Sequence, residues 1–166
     1  KPIPLRHPLI FYLGHTATFF INKLILAGLI SERINPAFES MFAVGVDEMS
    51  WDDLSDSHYQ WPTVQAVKDY RQQVRAVVDD IIRHTPLISA IDWDHPWWPI
   101  VMGIEHERIH LETSSVLIRQ HALHFVQPHP EWPICQQDGD APINDLVNIP
   151  AAQIKKKKEK TDAYDG

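Results

Sequence analysis

The chain has 166 residues, 44% of them hydrophobic, and 22 acidic against 15 basic side chains give it a formal charge of −7. This length and apolar content suit one domain with a hydrophobic core and argue against global disorder. The acidic balance argues against a nucleic-acid binder, which needs a basic face for phosphates. The single Cys135 excludes an internal disulfide, and the absence of a secretory signal predicts a cytoplasmic protein. Ten histidines are unusually many for this length.

The first predicted helix runs from about Pro8 to Ile30. Proline suits the first turn of a helix, where its missing N–H costs nothing. Apolar residues occur on nearly every side of this segment, which is typical of a buried helix or a membrane span. Because His15, Asn22 and Lys23 lie within it and no cationic flank sets an orientation, we interpret it as a buried central helix with no membrane partner.

The second predicted helix runs from about Thr63 to His84. Its apolar residues repeat at spacings of three and four, with charged residues between them, which is typical of an amphipathic helix. Thr63 can cap its start, and Pro86 is expected to end it. The long connection before it, residues 31–62, is expected to be functional or to hold short helices.

The third predicted helix runs from about Trp97 to Leu123, and prolines after Phe125 forbid a further long helix. The pattern predicts an all-α fold, a helical bundle. Since three long helices close a bundle poorly, we expect a fourth helix upstream of Lys1. Residues 151–166 are polar and lysine-rich, which is typical of a solvated linker.

Two histidines of the third helix have the spacing of metal ligands. His106 and His110 are four residues apart, so their imidazoles share one face of the helix and can bind one metal ion. Glu107 follows His106 directly, which also matches the His-Glu-x-x-His pattern of zinc proteases. A zinc hydrolase is therefore an alternative interpretation.

A third ligand can come from a neighbouring helix. His15 lies in the middle of the apolar first helix, and bundle cores build metal sites from facing helices. Three imidazoles leave coordination positions open and suit Fe(II), Zn(II) or another borderline divalent metal. Ligating imidazoles usually donate their second N–H to a carboxylate or carbonyl group. Three carboxylates on the third helix are candidates for that role: Glu105, Glu107 and Glu112.

Two sequence segments carry a resemblance to a known family. The sequence LGHTATFF at residues 13–20, followed by His106, His110 and Glu112, resembles the DinB-like iron-binding domain of the nonheme-iron sulfoxide synthases. The stretch at residues 38–53, with VGVDEMSW at 44–51, is similar to the ovothiol branch, the 5-histidylcysteine sulfoxide synthases.

The resemblance implies a DinB-like four-helix bundle over residues 1–150, with Fe(II) held by His15, His106 and His110. It implies an oxidoreductase that uses dioxygen to join the sulfur of cysteine to the imidazole of histidine and to oxidise that sulfur to a sulfoxide. It also implies that the linker leads to a formylglycine-generating-enzyme-like domain that completes the substrate site, so that the fragment is expected to be inactive alone.

Two points within this family are hypotheses: which branch the chain belongs to, and what the acidic loop does. The ergothioneine branch carries basic residues where this chain has Asp47 and Glu48, and we expect these acidic residues to bind an amino group of a substrate. Glu112 is our candidate for the carboxylate that orients a metal-binding imidazole. An ergothioneine-type synthase and a non-catalytic metal-binding DinB-like domain are the alternatives.

Overall fold

The computed structural model describes residues 1–4, 6–43, 59–87, 90–131, 139–140 and 143–146. All the regular secondary structure in these residues is helical, which confirms the all-α prediction. The α-helices in chain order are α1 (Leu9–Leu26), α2 (Pro36–Met41), α3 (Val64–His84) and α4 (Trp98–Arg119), and a short 3-10 helix, Leu123–Phe125, follows them. Cys135, Asp47, Glu48 and the predicted linker at residues 151–166 lie outside the described residues.

Helix α1 is the centre of the packing, as the sequence predicts. It contacts α2, α3 and α4, and Ile21 and Leu24 are fully buried. One core cluster joins Ala17 and Ile21 of α1 to Tyr70 and Val74 of α3. By length and apolar composition α1 could cross a membrane, but 44% of it is buried among the described residues, as in the core helix of a bundle.

The ends of α1 and α4 differ from the prediction. Helix α1 ends at Leu26 rather than Ile30, because Gly28 has a φ of +69° and turns the chain out of the helix. The amide of Leu29 donates to the carbonyl of Leu24, and that of Gly28 donates to Ile25, which is the Schellman pattern. Because apolar residues continue through Leu29, the sequence pattern predicts a longer helix and does not show that it ends at this glycine. Helix α4 ends at Arg119, since Leu123 belongs to the separate 3-10 helix.

The start and end of α3 agree with the sequence. The hydroxyl of Thr63 accepts a hydrogen bond from the amide of Ala66 at 3.2 Å, so the predicted cap is confirmed. The helix ends at His84, and Thr85 has the extended backbone expected of a residue that precedes proline.

The connection after α1 contains the short helix α2, which one buried carboxylate holds in place. Glu39 is 2% exposed, and its Oε1 accepts the backbone N–H groups of Ile34 and Asn35, both at 3.0 Å. Its Oε2 pairs with Arg33 Nη1 at 2.9 Å. The side chain of Asn35 caps α2 by accepting from the amide of Phe38. Because these polar groups are paired, the connection can lie against α1 at low cost.

A groove of about 710 Å³ lies between α3 and α4, with α1 as its floor. Leu13, Ala17 and Phe20 provide apolar floor, while Arg71 and Glu107 stand on opposite walls. A fourth long helix that would close the bundle is not among the described elements and stays a prediction.

Candidate metal centre

The structure brings together the three histidines that the sequence singles out. His15 comes from α1, and His106 and His110 come from successive turns of α4. One ring nitrogen from each lies within 4.8 Å of the others. The Nε2 atoms of His106 and His110 are 3.1 Å apart. The i, i+4 spacing and the contact between α1 and α4 together create this cluster.

One pair of the cluster already has the spacing of two ligands on one metal ion, and the third ligand atom lies within 4.8 Å of both. Two nitrogen ligands that bind one metal at about 2.1 Å on neighbouring octahedral corners lie about 3 Å apart. The 3.1 Å between the two Nε2 atoms fits such a pair. Three imidazoles on one side of a metal would leave the opposite side for other ligands. The donor set therefore fits a borderline divalent cation such as Fe(II).

A backbone carbonyl orients His15. Its Nδ1 lies 2.7 Å from the carbonyl oxygen of Phe42, at the end of α2. A carbonyl can only accept, so Nδ1 must carry the proton and Nε2 keeps its lone pair. This is the arrangement that a ligating imidazole needs.

The glycine before His15 makes that hydrogen bond possible. The ring of Phe42 packs against α1 at Gly14, and a Cβ atom at Gly14 would lie 2.5 Å from two carbons of that ring. Phe42 is fully buried, so its ring has little room to move away. Gly14 therefore admits Phe42, and the carbonyl of Phe42 orients His15.

Aromatic rings surround the cluster. Phe19 stacks on His106 with ring centroids 3.8 Å apart and an interplanar angle of 9°. Phe11 stacks on His15 at 5.1 Å. Phe19 is four residues from His15, so the same helical spacing that predicts the ligands could have identified it. The carbonyl of Phe42 has no comparable sequence signal.

The histidines are held in the neutral form. Burial, together with the electrostatic effects of His110, His15 and Lys23, lowers the pKa of His106 to about 3. Burial, together with the charge of His15, lowers the pKa of His110 to about 4. The pKa of His15 is also lowered by burial, against the opposing hydrogen bond to Phe42. At neutral pH all three imidazoles can therefore offer a lone pair to a metal.

The carboxylates of α4 have other contacts. Glu105 pairs with Arg108 at 2.8 Å, and Glu107 lies 3.6 Å from Arg71 of α3. Glu112 is exposed, and its predicted role toward an imidazole stays a prediction. Within the described residues, the buried Nδ1 atoms of His106 and His110 have no hydrogen-bond partner. The described part of the chain therefore supplies no hydrogen-bond acceptor for either of these Nδ1 atoms.

Comparison with known proteins gives one distant relative. No known protein-family profile matches the chain. The chain is 26% identical to ergothioneine biosynthesis protein 1 of Neurospora crassa over 93% of its own length. It spans 18% of the length of that relative, which is therefore a much longer protein.

Proposed function

We propose that the chain is the metal-binding helical domain of an iron-dependent sulfoxide synthase, an oxidoreductase. The observation that carries this proposal is the cluster of His15, His106 and His110, with their ligand atoms within 4.8 Å of one another. The similarity to a protein named for ergothioneine biosynthesis supports chemistry of the sulfoxide synthase type. That similarity also favours an enzyme over a metal-binding domain without activity.

The proposed reaction balances with one molecule of dioxygen. A thiol S–H and an imidazole C–H are lost, a C–S bond forms, one oxygen atom is transferred to sulfur and the other leaves as water. Bound Fe(II) would supply open coordination positions for the thiolate, the imidazole and dioxygen. The chain itself holds neutral ligands, and the rings of Phe11 and Phe19 stack on His15 and His106.

The branch of the family is a finer proposal. The stretch at residues 44–51 supports the ovothiol type, which joins cysteine to histidine, with Asp47 and Glu48 as substrate-binding residues outside the described part of the chain. The name of the relative supports the ergothioneine type equally well. Supplying the intact enzyme with either histidine or trimethylated histidine separates the two branches.

The partner of this domain is a proposal as well. Since the chain spans 18% of its relative, we propose that residues 151–166 lead to a formylglycine-generating-enzyme-like domain. In this arrangement both domains act in one cytoplasmic protein, and this chain provides the metal.

Metal analysis under anaerobic conditions tests the proposal. The chain is expected to bind one equivalent of Fe(II), and His15→Ala, His106→Ala or His110→Ala should each lower its affinity at least about 100-fold. His84→Ala is the matched control, because this exposed histidine at the end of α3 pairs with Asp80. Full iron occupancy in all three ligand variants would contradict the assignment.

The zinc hydrolase alternative predicts different results. It requires zinc binding and a peptide or ester hydrolysis that Glu107→Gln abolishes, without oxygen consumption. The sulfoxide synthase requires oxygen uptake by the intact enzyme when thiol and imidazole substrates are both present. The ion pair of Glu107 with Arg71 favours the second result, since it directs this carboxylate toward α3.

A further inference from the structure

A cavity of about 290 Å³ is lined by His15, one of the three clustered histidines. His15 and Phe19 form its inner wall, and Asn22 and Lys23 continue that wall along α1. Arg33, from the connection to α2, lines the other side. Its volume is at the lower end of small-molecule sites, about 300 Å³. A small ligand in this cavity would touch the residue that carries one of the three imidazoles.

The cavity holds positive charge close to the metal centre. Lys23 Nζ lies 5.2 Å from the centre of the Phe19 ring, and the same ring stacks on His106. In the described part of the chain Lys23 forms no ion pair. In a protein with a formal charge of −7, an unpaired cation at the wall of a cavity favours an anionic ligand.

Arg33 adds a donor with a fixed position. Its Nη1 donates to Asn22 Oδ1 at 2.6 Å and to Glu39 Oε2 at 2.9 Å. Its other nitrogens form no hydrogen bond to the described residues. Because Glu39 is buried and also bound by two backbone amides, it anchors the guanidinium and offsets its charge. Arg33 therefore offers a hydrogen-bond donor in a fixed position, whereas Lys23 supplies the net positive charge of the cavity.

We propose that this cavity binds the carboxylate of the amino acid that coordinates the metal, with Lys23 as its counter-ion and Arg33 as a second donor. The proposal rests on the proposed function and deepens it. It explains why two cations line a cavity that also contains His15, a proposed metal ligand that is itself neutral.

Ligand pairs that differ only in the carboxylate test this inference. The chain is loaded with Co(II) without oxygen, and its optical spectrum is followed during titration with cysteine or cysteamine, and with histidine or histamine. At least one amino acid should bind about tenfold more tightly than its decarboxylated partner, as expected for a charged hydrogen bond. The pair that shows this preference identifies the amino acid.

Two substitutions of Lys23 distinguish an effect of its charge from a general effect on the fold. Lys23→Gln should remove the preference while Co(II) binding is unchanged, and Lys23→Arg should keep it. Glutamine and lysine have similar helix propensities, so α1 is expected to be retained. Lys68→Gln is the matched control, because it removes the same charge from the exposed surface of α3.

The outcomes separate this inference from the proposed function. Spectral changes with cysteine and cysteamine at equal affinity, and likewise with histidine and histamine, would overturn the carboxylate site and leave the metal site intact. A preference that survives Lys23→Gln would overturn it too. Failure to bind Co(II) would contradict both, whereas bound Co(II) that responds to none of the four ligands would overturn the carboxylate site alone.

Discussion

The imidazole of His15 and the carbonyl of Phe42 lie 2.7 Å apart, although 27 residues separate them along the chain. This hydrogen bond joins a proposed metal ligand on α1 to the end of α2. It forms where the ring of Phe42 packs over Gly14. The Gly14-His15 pair is thus explained by packing as well as by metal chemistry.

We predict that Gly14→Ala weakens metal binding without removing a ligand. The new methyl group would displace Phe42 and its carbonyl, and loss of such a partner typically costs about 10- to 100-fold in metal affinity. Competition with a metal chelator measures the change. Alanine itself favours a helix by about 1 kcal/mol over glycine, so poor helix formation cannot explain a loss.

Two further variants complete this test. Gly28→Ala strains the positive φ after α1 and should lower stability by about 1 kcal/mol with metal affinity unchanged. Adding Phe42→Leu to Gly14→Ala should recover part of the affinity, because a smaller side chain lets the carbonyl approach again. If Gly14→Ala binds metal normally, the role given to Phe42 is wrong.

We also predict that Gly103→Ala disturbs the spacing between the two ligand helices. The ring of Phe20 on α1 lies so close to Gly103 on α4 that a Cβ atom there would overlap it. Overpacking of this kind costs about 1–3 kcal/mol. Urea denaturation measures the stability, and the metal affinity should fall in parallel. Ser115→Ala, on the exposed end region of α4, should change neither quantity strongly.

Glu39→Ala is expected to destabilise the fold without touching the metal ligands. It removes a buried carboxylate and leaves the amides of Ile34 and Asn35 and the guanidinium of Arg33 without their partner. Each buried donor left unsatisfied costs about 1–3 kcal/mol. Glu105→Ala is the control, since its pair with Arg108 is exposed and should contribute less than about 1 kcal/mol. Equal stability of the two variants would contradict the structural role of Glu39.

Asp47→Ala and Glu48→Ala test the proposed acidic loop in the intact enzyme. If these residues bind an amino group, each change should raise the KM for an amino-acid substrate and leave the iron content unchanged. If neither substitution changes the KM, the proposal that these residues bind substrate is wrong.

The sequence predicts the parts of this molecule that depend on periodicity and local caps. Helix α3 and its Thr63 cap follow from such signals, and so does the shared face of His106 and His110. The position of His15 opposite that pair required only the assumption that the two helices pack together.

The remaining parts depend on long-range placement. The carbonyl of Phe42 carries no side-chain signal, and Arg33 reaches its cavity only because Glu39 folds the connection back on α1. The stop at Gly28 was missed because apolar residues continue beyond it. Such contacts depend on how the connecting segments fold back on the helices, which the periodicity of the sequence does not show.

Because the three histidines come from α1 and α4 alone, a bound metal would act as a cross-link between segments about 90 residues apart in the sequence. By the relation used for disulfides, a link across so long a loop would restrict the unfolded chain by about 4.6 kcal/mol. Occupancy of the site and stability of the fold would then be linked equilibria, so that the supply of metal would affect how long the folded chain persists.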